Sequence, residues 1–236
     1  MTFRLAADGA VPLGTALTET GETLRRRLDQ MGVHPAVVET AGTDQVVVRI
    51  LRRDDSEQIR HALLQTAVFE LRFVRPAGGG PALSSEEAVL AQFGGRLPAD
   101  LEILPLKATD KEGADAPRYY AVERQPVLTG RDIQSARSMP GYTGRPVVEF
   151  TVKPEPAKAL AEATGANMGS IIAIVLDGQV VSSAILNARI GESGMIEGNF
   201  TPAEADDLAF VLASGPIPGR ITLIEESGGS PASRRP

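Results

Sequence analysis

Ile172-Ala173-Ile174-Val175-Leu176-Asp177-Gly178-Gln179-Val180-Val181-Ser182-Ser183-Ala184 carries the clearest fold signal in the chain. Two β-rich runs, Ser170 to Leu176 and Gln179 to Leu186, flank Asp177-Gly178, a dipeptide suited to the positive-φ positions of a two-residue hairpin turn. Upstream, Val148, Phe150 and Val152 alternate as a strand. Pro154 then lies just inside a helix that presents Ala157, Leu160 and Ala161 and stops at Gly165. Downstream, Gly191, Gly194 and Gly198 punctuate a segment leading to Thr201-Pro202-Ala203-Glu204. That run forms a capping box with proline at the first helical position. Its helix buries Ala205, Leu208, Ala209 and Leu212 and ends at Gly215. Ser214 to Gly219 reads as a stiff connector, and Ile221 to Glu225 as a last strand. The region from Pro126 to Glu226 is therefore an α+β unit set off by Gly/Pro breaks, with the patterning of a part that binds and moves.

The first third of the chain alternates strand and helix signals. Thr2-Phe3-Arg4-Leu5-Ala6 has period two, and Leu17, Leu24, Leu28 and Met31 share a helical face that Gly32 closes. Ala36 to Thr40 and Val46 to Leu51 form a hairpin about Gly42-Thr43-Asp44. Asp55 can cap a helix carrying Ile59, Leu63 and Thr66. Phe69, Leu71 and Phe73 then alternate with Glu70 and Arg72 as a half-buried strand. The succession is β-α-β-β-α-β, the ferredoxin-like plan. Pro76 to Pro81 breaks it as a loop. Ser84 with Glu87 offers a capping box for a short helix ending at Gly94-Gly95. Leu101 to Lys107 and Arg118 to Arg124 pair as strands about a polar tip, Ala108 to Pro117.

The bulk properties exclude several classes of function. With 236 residues and 42% apolar side chains the chain can build a substantial core, and with 4% aromatics and no Trp it must pack aliphatics. A net charge of −6 and a pI near 5.1 oppose nucleic-acid binding. The one basic run, Arg25-Arg26-Arg27, reads as a solvated helix face. There is no cysteine, so disulfides, Cys-ligated zinc and a thiol nucleophile are excluded. No signal peptide is visible at the start, and the longest apolar run, Ile171 to Leu176, falls far short of the ~18 residues of a membrane span. Residues 227–236 are Gly/Ser/Pro-rich and expected to be disordered.

No catalytic, metal or cofactor constellation survives scrutiny. His34 and His61 lack ligand spacing, and Asp54-Asp55 is more simply a helix cap. Asp206-Asp207 complements a helix dipole. Gly191-Glu192-Ser193-Gly194-Met195 lacks the second glycine of a nucleophile elbow, and Gly78-Gly79-Gly80 lacks the Lys-Ser/Thr of a phosphate loop. The expected assignment is therefore no enzyme, no cofactor and no metal.

Pro126-Val127-Leu128-Thr129-Gly130-Arg131-Asp132-Ile133 resembles the entry to the head subdomain in the large extracytoplasmic domain of SecD, an accessory subunit of the Sec preprotein translocase. The Ile172 to Ala184 hairpin is similar to the centre of that head. Gly198-Asn199-Phe200-Thr201, with Glu204-Ala205, Leu208 and Leu212 to Gly215, is similar to its last helix. Leu24 to Met31, Val46 to Leu51 and Phe69 to Arg72 look like the ferredoxin-like base. The resemblance implies a base at 1–75, a base-associated helix and strand pair at 76–126, an inserted head at 127–214, and a return strand at 215–226. It further implies a non-catalytic domain that binds unfolded preprotein segments, works with Sec membrane subunits and lies outside the cytoplasm. An adaptor that kept the fold but took another protein partner is the alternative. Pro126, Thr129, Gly130, Gly215, Pro216 and Pro218 are the candidate hinge, with Gly215 equally able to serve as a helix end. The family's membrane helices are not in this sequence, and Leu5-Ala6-Ala7-Asp8-Gly9 departs from the Asp-Leu-Gln-Gly-Gly run that resemblance predicts. An excised domain and a free-standing relative both fit.

Overall fold

A computed structural model describes residues 1–9, 11–51, 56–65, 68–75, 82–107, 117–142, 144–198 and 200–226. In chain order the elements are β1 (Thr2–Ala6), α1 (Leu13–Gln30), β2 (Ala36–Ala41), β3 (Gln45–Ile50), α2 (Ser56–Leu64), β4 (Phe69–Arg75) and α3 (Glu86–Ala91). There follow β5 (Leu101–Pro105), β6 (Tyr119–Glu123), β7 (Leu128–Thr129), β8 (Ile133–Pro140), β9 (Pro146–Val152) and α4 (Pro154–Ala166). The last are β10 (Ile171–Leu176), β11 (Gln179–Ile185), β12 (Ser193–Ile196), α5 (Pro202–Ser214) and β13 (Arg220–Glu225). The class is α+β, as expected. The chain divides into two units, residues 1–66 with 217–236, and residues 67–216. The expected loop at 76–81, most of the tip at 108–117, the Asp54-Asp55 cap and the tail from 227 lie outside the described residues.

In the first unit the sheet order is β13-β1-β3-β2, with neighbours antiparallel. Apolar residues at helical spacing on α1, including Ala16, Leu17, Leu24 and Leu28, pack with Phe3, Leu5, Val46, Val48, Ile59 and Leu63. The β-α-β-β-α-β succession is completed by β13, not by the Phe69 to Phe73 run expected from sequence. β13 alternates a buried Ile221 with exposed Arg220 and Thr222, the pattern of an edge strand. Phe69–Arg75 instead buries Phe69, Leu71, Phe73 and Val74, leaves Glu70 and Arg72 half-buried, and lies inside the second unit.

The arginine run also departs from expectation. Arg25 Nη2 donates to Val38 O on β2 at 3.0 Å, and Arg26 Nη2 donates to Thr23 Oγ1 at 2.9 Å. Arg27 is fully buried. Its Nη1 donates to Ala62 O at 2.9 Å and Leu63 O at 3.2 Å, and also to Gln65 O. These are carbonyls at the end of α2, where backbone acceptors lack helical partners and the dipole favours a cation. Arg27 thus falls on the core face of α1, between Leu24 and Leu28, and serves as the C-terminal cap of a neighbouring helix.

In the second unit the Asp177-Gly178 turn forms with φ of +49° and +78°, pairing Leu176 with Gln179. The sheet runs β11-β10-β4-β6-β5, with β7 also against β4. Its two ends meet, because Leu106 bridges Val180 in parallel and Lys107 N donates to Val180 O at 2.8 Å. The rolled sheet encloses Val74, Tyr120, Val122, Ala173, Val175 and Val180, with Tyr120 Oη 3.0 Å from Ser183 Oγ. A second, larger core takes the alternate residues Ile172 and Ile174 of β10 with Phe69, Leu71 and Phe73 of β4. It includes Leu160 of α4, Leu208 and Leu212 of α5, and Val148, Phe150 and Val152 of β9. That β9 belongs to a separate three-stranded sheet, β12-β9-β8. The strand pair expected beside the first unit, β5 and β6, therefore extends β4 in the second.

The Thr201 capping box forms as read: Glu204 N donates to Thr201 Oγ1 at 3.2 Å, and Thr201 N to Glu204 Oε2 at 2.9 Å. The cap of α3 falls on Ser85 instead of Ser84, with Ala88 N donating to Ser85 Oγ at 3.1 Å. The Glu87 backbone N–H and the Ser85 hydroxyl hold the Glu87 carboxyl below its usual pKa.

Arg27→Met should cost about 2–3 kcal/mol of stability, because helix-end carbonyls lose a charged donor without gaining water. Arg27→Lys should cost less, keeping the charge with fewer donors in fixed geometry. Urea unfolding of the two variants should order them in this way.

Candidate functional site

Among the described residues no group of three or more His, Asp or Glu could hold a metal ion. His34 Nδ1 lies 3.7 Å from Asp29 Oδ1 at an exposed turn, while His61 lies in the last turn of α2. Ser193 sits on edge strand β12, and Gly194 beside it meets the Phe150 ring, which would lie 2.6 Å from an added Cβ. Gly194 therefore answers a packing constraint, while a Cβ on Gly191 would meet only Ala161 Cβ at an ordinary 3.8 Å. Asp206 and Asp207 are exposed on α5.

The second unit does carry a charge network that the sequence reading did not find. Arg72 on β4, with a side chain 11% exposed, pairs with Glu70 at 2.6 Å and with Glu102 of β5. Arg124 reaches the same Glu102 at 3.4 Å. Arg75 pairs with Glu123 of β6 at 2.6 Å and lies 5.4 Å over the Phe73 ring. Three arginines thus meet three glutamates across β4, β5 and β6, which ties the strands together and leaves each of these carboxylates beside a guanidinium. The Glu70-Leu71-Arg72 alternation was the available signal, but alternation alone does not separate a solvated face from a paired one.

The six candidate hinge residues fall at different depths in the chain path. Val127 N, next to Pro126, donates to Leu71 O at 2.7 Å, stitching that entry beside β4. Thr129 N and Oγ1 both donate to Asp132 Oδ2 at 2.8 Å, closing a box around the 3-10 turn Gly130–Asp132. Gly130 is buried, and an added Cβ would lie 3.4 Å from Pro216 Cδ and 3.6 Å from Phe69 Cβ. Gly215, at φ +83°, ends α5 with its N–H on Val211 O at 3.1 Å. Pro216 is the last residue of the second unit, and Pro218 is buried in the first. Of the six, Gly215 and Pro216 adjoin a crossing between units, while Pro126, Thr129 and Gly130 lie inside the second.

Apolar side chains are also offered to solvent by the second unit: Tyr142 is 98% exposed at the β8–β9 tip, and Met168, Ile185 and Met195 are each at least half exposed. An open groove of about 410 Å³ lies along α4, lined by Pro154, Ala157, Lys158, Ala161, Arg189 and Glu192.

The family model for the P1 head subdomain of SecDF matches residues 102–219, half of the chain, and the model for the N-terminal part of the SecDF P1 domain matches residues 17–76. The chain belongs to the SecD/SecDF family. Its P1 region is similar to SecD of Aquifex aeolicus, 33% identical over 87% of this chain and 38% of that protein. SecD of Koribacter versatilis is 30% identical over 92% of this chain and 39% of its own length. The chain thus spans about two fifths of the length of these relatives. A solved structure of SecDF, described as a membrane component that enhances protein export, superposes with a TM-score of 0.70 at 29% identity. That match covers 97% of this chain and 100% of the solved one. A second, of SecDF in its super-membrane-facing form, gives 0.69 over 95% of this chain and 29% of the solved one. No helix among the described residues is long and apolar enough to cross a membrane.

Within this SecD-type P1 region one residue near a crossing is fixed more tightly than any of the expected six. Gly219 has φ +124°, and an added Cβ would stand 2.3 Å from Ala6 O and 2.7 Å from Ala7 Cα. Its N–H bonds Ile217 O at 2.9 Å. Gly219→Ala should therefore destabilise the chain by about 3 kcal/mol, the upper range for a strained backbone position. Thermal unfolding should show it as a lowered Tm, whereas Gly198→Ala, which meets only the movable Phe200 ring, should lower it less.

Proposed function

We propose that this chain is a non-catalytic polypeptide-holding domain that assists protein export from the extracytoplasmic side of the membrane, working with the membrane subunits of the Sec translocase. The observation that carries the reading is the end-to-end match to a solved SecDF chain described as enhancing protein export. The surface chemistry supports it. An emerging preprotein is unfolded and varied in sequence, so its receptor needs apolar contacts and backbone partners more than one dedicated polar pocket. The second unit supplies exposed Tyr142, Met168, Ile185 and Met195, and a three-stranded sheet edged by β8 and β12. Its Arg72, Arg75, Glu102 and Glu123 are spent on one another, so they form no free acid–base pair. The division into a base, residues 1–66 with the return strand β13, and a second unit that carries the head at 127–214 belongs to the same proposal.

The direct test is binding of the purified chain to several fluorescently labelled, permanently unfolded proteins of unrelated sequence. Dissociation constants on the order of tens of micromolar, about −6 kcal/mol, are expected for all of them. The folded forms of the same proteins should not bind. Absence of binding to every unfolded chain, or equal binding of folded and unfolded forms, would sink the reading.

A further inference from the structure

We propose that the free edge of β8, at Ala136 and Ser138, is where the second unit takes hold of an extended polypeptide, which joins the β12-β9-β8 sheet as a further strand. This deepens the polypeptide-holding reading and rests on it.

The pairing fixes which backbone groups are free. Gly141 N donates to Arg145 O at 2.7 Å, which makes those two a hydrogen-bonded pair. Antiparallel bonding alternates, so Met139 with Val147 and Arg137 with Glu149 are bonded pairs as well. Val152 N donates to Glu192 O at 2.8 Å, which assigns the even residues of β9 to β12 by the same rule. β9 thus gives its odd positions to β8 and its even positions to β12. Ala136 and Ser138 are left with N–H and C=O directed away from the sheet, and among the described residues no hydrogen bond reaches these groups. The window has defined ends. A register shift at Ile133/Ser135 closes one, and Pro140, with no N–H to give, closes the other.

An open edge of this kind invites pairing with other chains, and folded domains normally blunt it. The first unit does so: Arg25 Nη2 on α1 occupies Val38 O of edge strand β2 at 3.0 Å. β8 has no such cover, although its eight residues make it the longest strand among the described residues. Its one charged side chain, Arg137, is drawn inward across the sheet to Glu149 of β9 at 2.6 Å. The other positions from 134 to 139 are Gln, Ser, Ala, Ser and Met, with no lysine or acid to repel an incoming strand. On the opposite face α5 packs over β8, and its Leu208 and Leu212 lie in the core that Ala136 joins, so the edge is held in place. A fixed row of donors and acceptors at strand spacing is complementary to an extended backbone whatever its side chains. That is the chemistry an unfolded chain offers and a folded one does not.

Residue-resolved amide hydrogen exchange on the purified chain, with and without a reduced and carboxymethylated, permanently unfolded protein, tests the placement. The Ala136 and Ser138 amides should exchange fast in the chain alone and about tenfold more slowly once the unfolded protein is in roughly tenfold excess over its dissociation constant. The Arg137 and Met139 amides, already bonded to β9, should change little. Ser138→Pro deletes one outward donor and sets a ring on the edge, and should weaken binding about tenfold while leaving Tm nearly unchanged. Should that variant fail to fold, the exchange pattern of the unsubstituted chain decides alone. No binding of the unfolded protein would overturn the holding reading itself. Binding that leaves the Ala136 and Ser138 amides as fast as before would overturn the β8 edge while that reading stands. Slow exchange at both amides without any unfolded protein, growing with the concentration of the chain, would show a second copy filling the edge and overturn the proposal as well.

Discussion

The second unit depends on β10 being buried on both faces at once. Ile172 and Ile174 of β10 point with Phe69, Leu71 and Phe73 into the larger core, while Ala173 and Val175 point with Val74 into the rolled sheet. Because side chains alternate along a strand, a strand can serve two cores only if both sets of alternate positions are apolar. That condition explains the uninterrupted Ile171–Leu176 run. It also couples the two cores: shearing β10 to repack one would dislocate the other. The Arg72 network then fastens β4 to β5 and β6, the strands that close the roll onto Val180.

Local chemistry was the legible part of the fold. Asp177-Gly178, Pro154, the Thr201 capping box and the α5 residues Ala205, Leu208, Ala209 and Leu212 each act through neighbours a few positions away, and each formed where it was read. What failed was the long-range placement of Phe69 to Phe73. Phe69 to Phe73 and Ile221 to Glu225 have similar alternation, and both can complete a sheet beside β1. The deciding difference is that Glu70 and Arg72 have partners on the strand itself and on β5, so the apparent solvent face of β4 is an interior one. No window around residue 70 contains Glu102 or Glu123. Strands β8 and β12 were missed for a related reason. Ser135, Arg137 and Ser138 give β8 a polar look, and Gly194 reads as a break until the Phe150 ring that requires it is in view.

Arg27 shows the same limit in a single residue. A charge in a run of three is normally a solvated charge, and helical spacing places it beside Leu24 and Leu28 without saying what lies opposite. What lies opposite is the end of α2, whose carbonyls need donors. The position is apolar by periodicity and cationic by need. In the candidate hinge, Gly215 and Pro216 were legible as chain punctuation, whereas Gly219 was passed over. Its requirement comes from Ala6 and Ala7, more than two hundred positions earlier in the chain.

The second unit concentrates shared packing and paired charges on β4, and its far boundary is abrupt. Gly215 stops α5, Pro216 rests on Gly130, and the next residue, Ile217, belongs to the core of the first unit. A proline packed on a glycine that has no side chain, next to a helix end at positive φ, fixes the chain path through local geometry and not through a long connector. On this side each unit therefore keeps its own core up to the residue at which the chain passes from one to the other.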